Sequence, residues 1–165
     1  MELRIDRMTR AVAGPAIAVA VFLVVGPLSA EGPDIRAKVT APASLAPGAK
    51  GKVVVEMTMG AGWHVNSHTP SEKFLIPTNV TLAASAGTFS AVRYPKDVER
   101  RFEFSETPLR VYEGTVRFEA DLALPRDAAG KVAVSGAVSY QACDDKQCFA
   151  PAKIPLETSV AISKP

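Results

Sequence analysis

The sequence predicts an all-β fold, an antiparallel β-sandwich, on three observations. Short segments alternate apolar and polar residues with a period of two. Turn-forming residues separate them at fairly even spacing, and no window sustains a helical period with caps at both ends. In a strand, successive side chains point to opposite faces, so each alternating segment has one buried and one wet face. The 165 residues suit one domain, and 47% hydrophobic residues supply a core for it.

The elements follow in order. Arg4, Arg7 and Arg10 precede an apolar run over residues 11–25, and Gly26-Pro27-Leu28-Ser29-Ala30 follows. A basic start, an apolar middle and small residues at the end read as a secretory signal peptide over residues 1–30. The same uncharged stretch, about 20 residues, would also span a bilayer as an uncleaved anchor. Gly14 and Pro15 inside it favour cleavage. The remaining domain, residues 31–165, is thus expected to be exported.

A Pro/Gly/Ala stretch over residues 31–51 contains one candidate strand, Ile35–Thr40. Val53, Val55, Met57 and Met59 share one parity, so the two methionines read as core. Val116, Phe118, Ala120, Leu122 and Leu124 form the cleanest alternation. Val132, Val134, Val138 and Tyr140 form a further set, and Ile154, Leu156, Val160 and Ile162 the last. Breakers lie between them at Gly60-Ala61-Gly62, Pro70, Pro77, Gly87, Pro95, Pro108, Gly114 and residues 125–130.

Charge and cysteine content bound the function. The chain carries a net +2 with no basic run, so the electrostatic footprint of a nucleic-acid binder is absent. Two cysteines permit at most one intramolecular disulfide, which excludes a disulfide-rich scaffold. Neither an acid/base carboxylate pair, nor a nucleophile–base triad, nor a phosphate-binding glycine loop stands out. The chemistry concentrates in Cys143-Asp144-Asp145-Lys146-Gln147-Cys148, at the end of a candidate strand and in an exported, oxidising setting.

Bridging these cysteines would close a loop of about six residues and stabilise the fold by only about 2 kcal/mol. Cys143 continues the parity of Ser139 and Gln141, the wet face, and the intervening residues are polar. A short surface disulfide of this kind is labile more often than a buried long-range one. Asp144 and Asp145 disfavour a neighbouring thiolate, and only Lys146 offsets them. Three readings stand at this point: a redox pair, an inert disulfide in a binding module, and a metal site. The metal reading takes Cys143, Cys148, His64 and His68 as a zinc or copper set in an exported carrier. It requires the chain to bend at Asn66-Ser67, because histidines four apart on a straight strand are about 13 Å apart.

Gly62-Trp63-His64-Val65-Asn66-Ser67-His68-Thr69-Pro70, then Phe74-Leu75-Ile76-Pro77-Thr78, then Tyr140-Gln141-Ala142-Cys143 with Cys148 and Pro151, resemble the N-terminal periplasmic domain of the thiol:disulfide interchange protein DsbD family. The resemblance spans roughly residues 35–162. It implies an immunoglobulin-like β-sandwich and a dithiol that shuttles electrons with no cofactor beyond the Cys143–Cys148 pair. Cys148 is then expected to form the mixed disulfide and Cys143 to resolve it.

The implied partners are a thioredoxin-like electron donor fed by a membrane electron transporter, both here on separate chains because this sequence ends at Pro165. The implied clients are disulfide-containing periplasmic proteins of the isomerase or cytochrome c maturation type. The family also carries a cap loop over its disulfide. Its counterpart here is Arg101-Phe102-Glu103-Phe104-Ser105, with Phe104 the expected tip and Glu103 an acidic neighbour of the thiols; the plainer alternative makes Phe102 and Phe104 core residues of a strand. His64 and Asn66 stand where the family has tyrosines, and with His68 they share one strand parity. They are expected either to modulate proton transfer at the thiols or to form an exposed polar face. Trp63 and Tyr140 read as packing residues.

Overall fold

Alternation in the sequence carries straight into burial. Val53, Val55, Met57 and Met59 turn inward while Lys52, Glu56 and Thr58 stay out, and Phe118, Ala120, Leu122 and Leu124 repeat the pattern. The computed structural model describes residues 32–163 and contains twelve strands and, among those residues, no helix. The signal or anchor expected over residues 1–30 lies outside the described residues.

The strands in chain order are β1 (Ile35–Thr40), β2 (Ser44–Leu45), β3 (Lys50–Met59), β4 (His64–Asn66), β5 (Asn79–Ala84) and β6 (Thr88–Phe89). They continue as β7 (Val98–Arg100), β8 (Leu109–Glu113), β9 (Thr115–Ala123), β10 (Lys131–Tyr140), β11 (Ala142–Cys143) and β12 (Ala152–Ile162). Three sheets result, in the orders β1-β3-β9-β6, β2-β12-β10-β5 and β11-β4-β8-β7. Pairing is antiparallel except between β2 and β12. This is the immunoglobulin-like antiparallel β-sandwich that the resemblance implies.

The first two sheets bury their inner faces against each other. Val55, Met57 and Phe118 meet Val80, Val138 and Leu156 in one cluster, and Val53 and Leu122 meet Val132, Val134 and Val160 in another. The short third sheet joins the first cluster through Val65, Tyr112 and Ala142. Burying a side chain of this size contributes about 1.5–3 kcal/mol, so these rows hold the sandwich closed.

The four strongly alternating segments and Ile35–Thr40 all form strands, and Met57, Met59 and Tyr140 are core, as expected. The strands without that signal are β4, β5, β7 and β8 and the two-residue pieces. In β4 all three residues are buried, and in β8 both Val111 and Tyr112 are. A strand covered on both faces loses its alternation.

The same effect overturns one parity argument. Cys143 is not on a wet face but is buried, 1% exposed. The strand running through Val138 and Tyr140 ends at Tyr140. After Gln141 the chain leaves the second sheet and pairs with β4 in the third, so parity counted across that break carries no meaning. His64 and Asn66 are likewise buried rather than an exposed polar face, and Phe102 and Phe104 lie in a loop, not a strand.

β10 sits between β12 and β5, with Gly136 opposite both Leu156 and Leu82. A β-carbon at Gly136 would run into the Thr81 carbonyl oxygen and reach 3.0 Å from Leu82 Cδ2. Gly136→Ala is therefore expected to destabilise the domain by about 1–3 kcal/mol in denaturant unfolding. An unchanged midpoint would show that β5 can move aside freely.

Candidate active site

Asp144 organises the cysteine loop. Its Oδ1 accepts hydrogen bonds from the backbone N–H of Lys146 and of Gln147, both at 2.8 Å, and its own N–H donates to the Gln147 carbonyl at 2.9 Å. This Asx-type turn also holds the Asp144 carboxyl below the usual carboxylate range, because both N–H donors favour its charged form. The Phe149 N–H donates to the Ala142 carbonyl at 2.8 Å and closes the hairpin below it. Cys143 and Cys148 are joined as a disulfide across this turn. The two cysteines differ in exposure: Cys143 is buried and Cys148 is partly exposed.

The floor is the three-residue strand β4, held between β11 and β8. His64 stands opposite Cys143 on one side and opposite Glu113 on the other, so Glu113, His64 and Cys143 form one row across the sheet. Val65, Tyr112 and Ala142 form the next row and face the core. Asn66 returns to the face of His64. Its Nδ2 donates to the Ile76 carbonyl at 3.0 Å and to Gln141 Oε1 at 3.3 Å, and Gln141 Nε2 donates to the Phe149 carbonyl at 3.1 Å. Asn66 and Gln141 thus tie together the two chain segments that flank the disulfide.

A loop covers this face. The Phe102 ring stacks on the His64 imidazole with centroids 4.2 Å apart and an interplanar angle of 15°. Phe104 stacks on Phe102 at 5.2 Å and 10°. Phe102 is packed below against Leu75, Leu109 and Val111, while Phe104 is 42% exposed. The loop is anchored by Ser105 Oγ donating to the Thr107 carbonyl at 2.8 Å and Thr107 Oγ1 to Glu72 Oε1 at 3.1 Å. On the other side Trp63 meets Phe149 edge-on, with centroids 5.2 Å apart. A cleft of about 500 Å³ opens beside His64, between the Gly60–Gly62 turn and Arg100 and Arg101, with Asp145 at its edge.

Burial pushes the His64 imidazole below its ordinary pKa, against the smaller opposing pull of Asp145, Glu113 and Asp144. Glu113 is held by Arg100, whose Nε lies 3.1 Å from its Oε2. The acidic neighbours of His64 are therefore Asp145, Glu113 and Asp144, while Glu103 is exposed in the loop between the two phenylalanines.

The four-ligand metal set is not assembled. Both sulfurs are bonded to each other, and His68 lies past the end of β4. Its ring stacks on Tyr94 at 3.6 Å, and its Nδ1 is 3.1 Å from the Thr78 carbonyl oxygen. Among the described residues no group of three or more His, Cys, Asp or Glu side chains converges as ligands would. Sequence reasoning singled out Cys143, Cys148, His64, Asn66 and Phe102 at this end, but missed Glu113 and the bridging role of Gln141. Glu113 carries no local signal, because only the β4–β8 register brings it beside His64.

No curated protein matches this chain in sequence. Among solved structures it is similar to the N-terminal periplasmic domain of ScsB from Proteus mirabilis, with a TM-score of 0.55 and 15% identity over 74% of this chain and 45% of that one. The chain thus spans less than half of the ScsB chain. A second similar structure is the reduced DsbD N-terminal domain of Neisseria meningitidis, at a TM-score of 0.46 and 16% identity over 74% of this chain and 85% of that one. The first likeness supports the fold described above. Residues 34–158 match the family described as thiol:disulfide interchange protein DsbD, N-terminal, and the chain belongs to that family.

Proposed function

We propose that this domain is a periplasmic protein-disulfide reductase module that works through Cys143 and Cys148. It accepts electrons from a membrane-linked thioredoxin-like donor on another chain and passes them to disulfides of exported proteins. Residues 1–30 serve as the export signal in this reading, and residues 31–165 as the working domain. Family membership supports the thiol–disulfide chemistry. The observation that carries the assignment of roles is the unequal exposure of the two cysteines, Cys143 buried and Cys148 partly exposed.

Thiol–disulfide exchange needs in-line approach of a thiolate to one sulfur, and the accessible sulfur is the one attacked. On reduction, a donor thiolate attacks Cys148 Sγ. The Cys143–Cys148 bond breaks, its electron pair stays on Cys143, and Cys148 is held in a mixed disulfide with the donor. The donor's second thiolate then releases Cys148. Toward a client the sequence runs in reverse: Cys148 attacks the client disulfide and Cys143 resolves the mixed disulfide. No other cofactor enters either half. The loop over residues 101–105 acts as a cap, with Phe104 as its outer and Phe102 as its inner ring, and moves aside when a partner docks. His64 and Asn66 line the face beneath it and modulate the exchange.

Two outcomes are expected. Cys143→Ser should accumulate mixed disulfides with periplasmic proteins through Cys148, visible on non-reducing gels, whereas Cys148→Ser should capture none. Absence of capture by both variants would sink the shuttle reading in favour of a binding module with a structural disulfide. Phe104→Ala removes a ring with 42% of its surface already in solvent. It should change stability by less than about 1 kcal/mol while reduction of the disulfide by a small dithiol accelerates several-fold. An unchanged reduction rate would show that the ring does not shield the sulfurs.

A further inference from the structure

Two buried side-chain atoms at this end of the molecule have no hydrogen-bond partner among the described residues, His64 Nε2 and Asn66 Oδ1. Leaving such an atom unsatisfied costs about 1–3 kcal/mol. His64 is 4% exposed, is held flat by Phe102, and stands directly opposite Cys143. Directly opposed residues of an antiparallel pair have β-carbons about 5 Å apart on the same face of the sheet. While Cys143 is bonded to Cys148 its sulfur has no hydrogen to donate; once reduced, it has one. The residue that carries this unsatisfied atom therefore stands across the ladder from the cysteine whose sulfur acquires a hydrogen in the dithiol state.

We infer that His64 is the proton-transfer partner of Cys143, with Glu113 as a positioning residue behind it. This deepens the exchange reading and rests on it. In the dithiol, the Cys143 S–H donates to His64 Nε2. When Cys148 is in a mixed disulfide with a client thiol, His64 takes the proton from Cys143, and the resulting thiolate attacks Cys148 Sγ. The Cys143–Cys148 bond forms and the bond from Cys148 to the client sulfur breaks. The electron pair leaves with the client thiolate, which then receives a proton from the imidazolium or from water. In the reducing direction the ring relays to Cys143, as it leaves, a proton taken up from water, which balances the proton that the attacking donor thiol gave up. A bare thiolate there would be buried and close to the acidic groups of the loop, which is the situation that most needs a proton.

The charged groups around the ring define its titration. Glu113 faces it from β8, Asp144 and Asp145 act on it from the disulfide loop, Arg100 of β7 pairs with Glu113, and Arg101 lines the same cleft. Burial outweighs the three carboxylates, so the ring is neutral, and able to accept a proton, at neutral pH. Acidification protonates it and removes the acceptor. Loss of Glu113 removes a group that favours the protonated ring, so it moves that transition to lower pH.

The test uses the fully reduced chain mixed with dithiobis(nitrobenzoate) in a stopped-flow instrument across mildly acidic to neutral pH. The first nitrothiobenzoate released reports attack by Cys148, and the second reports resolution by Cys143. In the native protein the second phase should fall as pH drops through a midpoint below the ordinary histidine value of about 6.5. His64→Phe keeps an aromatic ring against Phe102. It should slow the second phase about 10²-fold and replace that break with a continuous fall of about tenfold per pH unit, set by the thiolate fraction of Cys143, while the first phase stays within about twofold of the native rate at each pH. His64→Gln, which keeps an acceptor that does not titrate, should also lose the break, and Glu113→Gln should shift the native break to lower pH. An unaltered second phase in His64→Phe overturns the inference, as does an equal loss in both phases. Partner capture by Cys143→Ser does not involve His64, so the exchange reading stands or falls separately.

Discussion

The redox end of this molecule depends on the chain leaving the second sheet at Gln141. Up to Tyr140 the strand is part of the sandwich, with Val132, Val134 and Val138 packed in its core. Two residues later it pairs with β4 in a different sheet. That transfer turns Cys143 from the solvent side to a buried position and sets it opposite His64. It also leaves Cys148, across the turn, at the accessible edge. The amide of Gln141, held by Asn66 and bonded to Phe149, fixes the point of departure. The difference in exposure between the two cysteines is thus a consequence of sheet topology rather than of the residues next to them.

β4 supplies the second half of the arrangement. A strand of three residues cannot stand alone, and here it is held by ladders on both sides and covered on both faces. Val65 belongs to the common core, His64 lies under Phe102, and Asn66 bonds to Ile76 and Gln141. Polar groups in such a place have to find partners inside the protein. Asn66 Nδ2 does so twice, while Asn66 Oδ1 and His64 Nε2 find none among the described residues.

How much of this could be read in the sequence follows from the same geometry. Segments with one wet face, such as those through Val55 and Phe118, announce themselves by alternation. Those covered on both faces, such as His64–Asn66 and Leu109–Glu113, do not, and they build the site. The cysteine pair was legible because its spacing is short and its loop polar. The burial of Cys143 was not, since parity does not carry through a break that only tertiary pairing reveals. Glu113 was invisible for a related reason: its place beside His64 is a matter of register between strands about fifty residues apart in sequence. The local word Arg101-Phe102-Glu103-Phe104 suggested a covering loop, but only the structure orders the two rings, Phe102 inside and Phe104 outside.

Asp144 has a consequence that concerns the molecule after its disulfide opens. The turn it organises is made of three hydrogen bonds that do not involve sulfur, and the Phe149–Ala142 bond below it is equally independent. With the bridge cut, these bonds still hold the two ends of the loop together. The two thiols then meet at a high effective molarity, since the loss of freedom needed to bring them together has already been met by the backbone. In the proposed exchange, ring closure under these conditions competes well with any outside thiol and shortens the life of a mixed disulfide on Cys148. On that proposal, a carboxylate with no part in the electron transfer sets how long a partner stays attached.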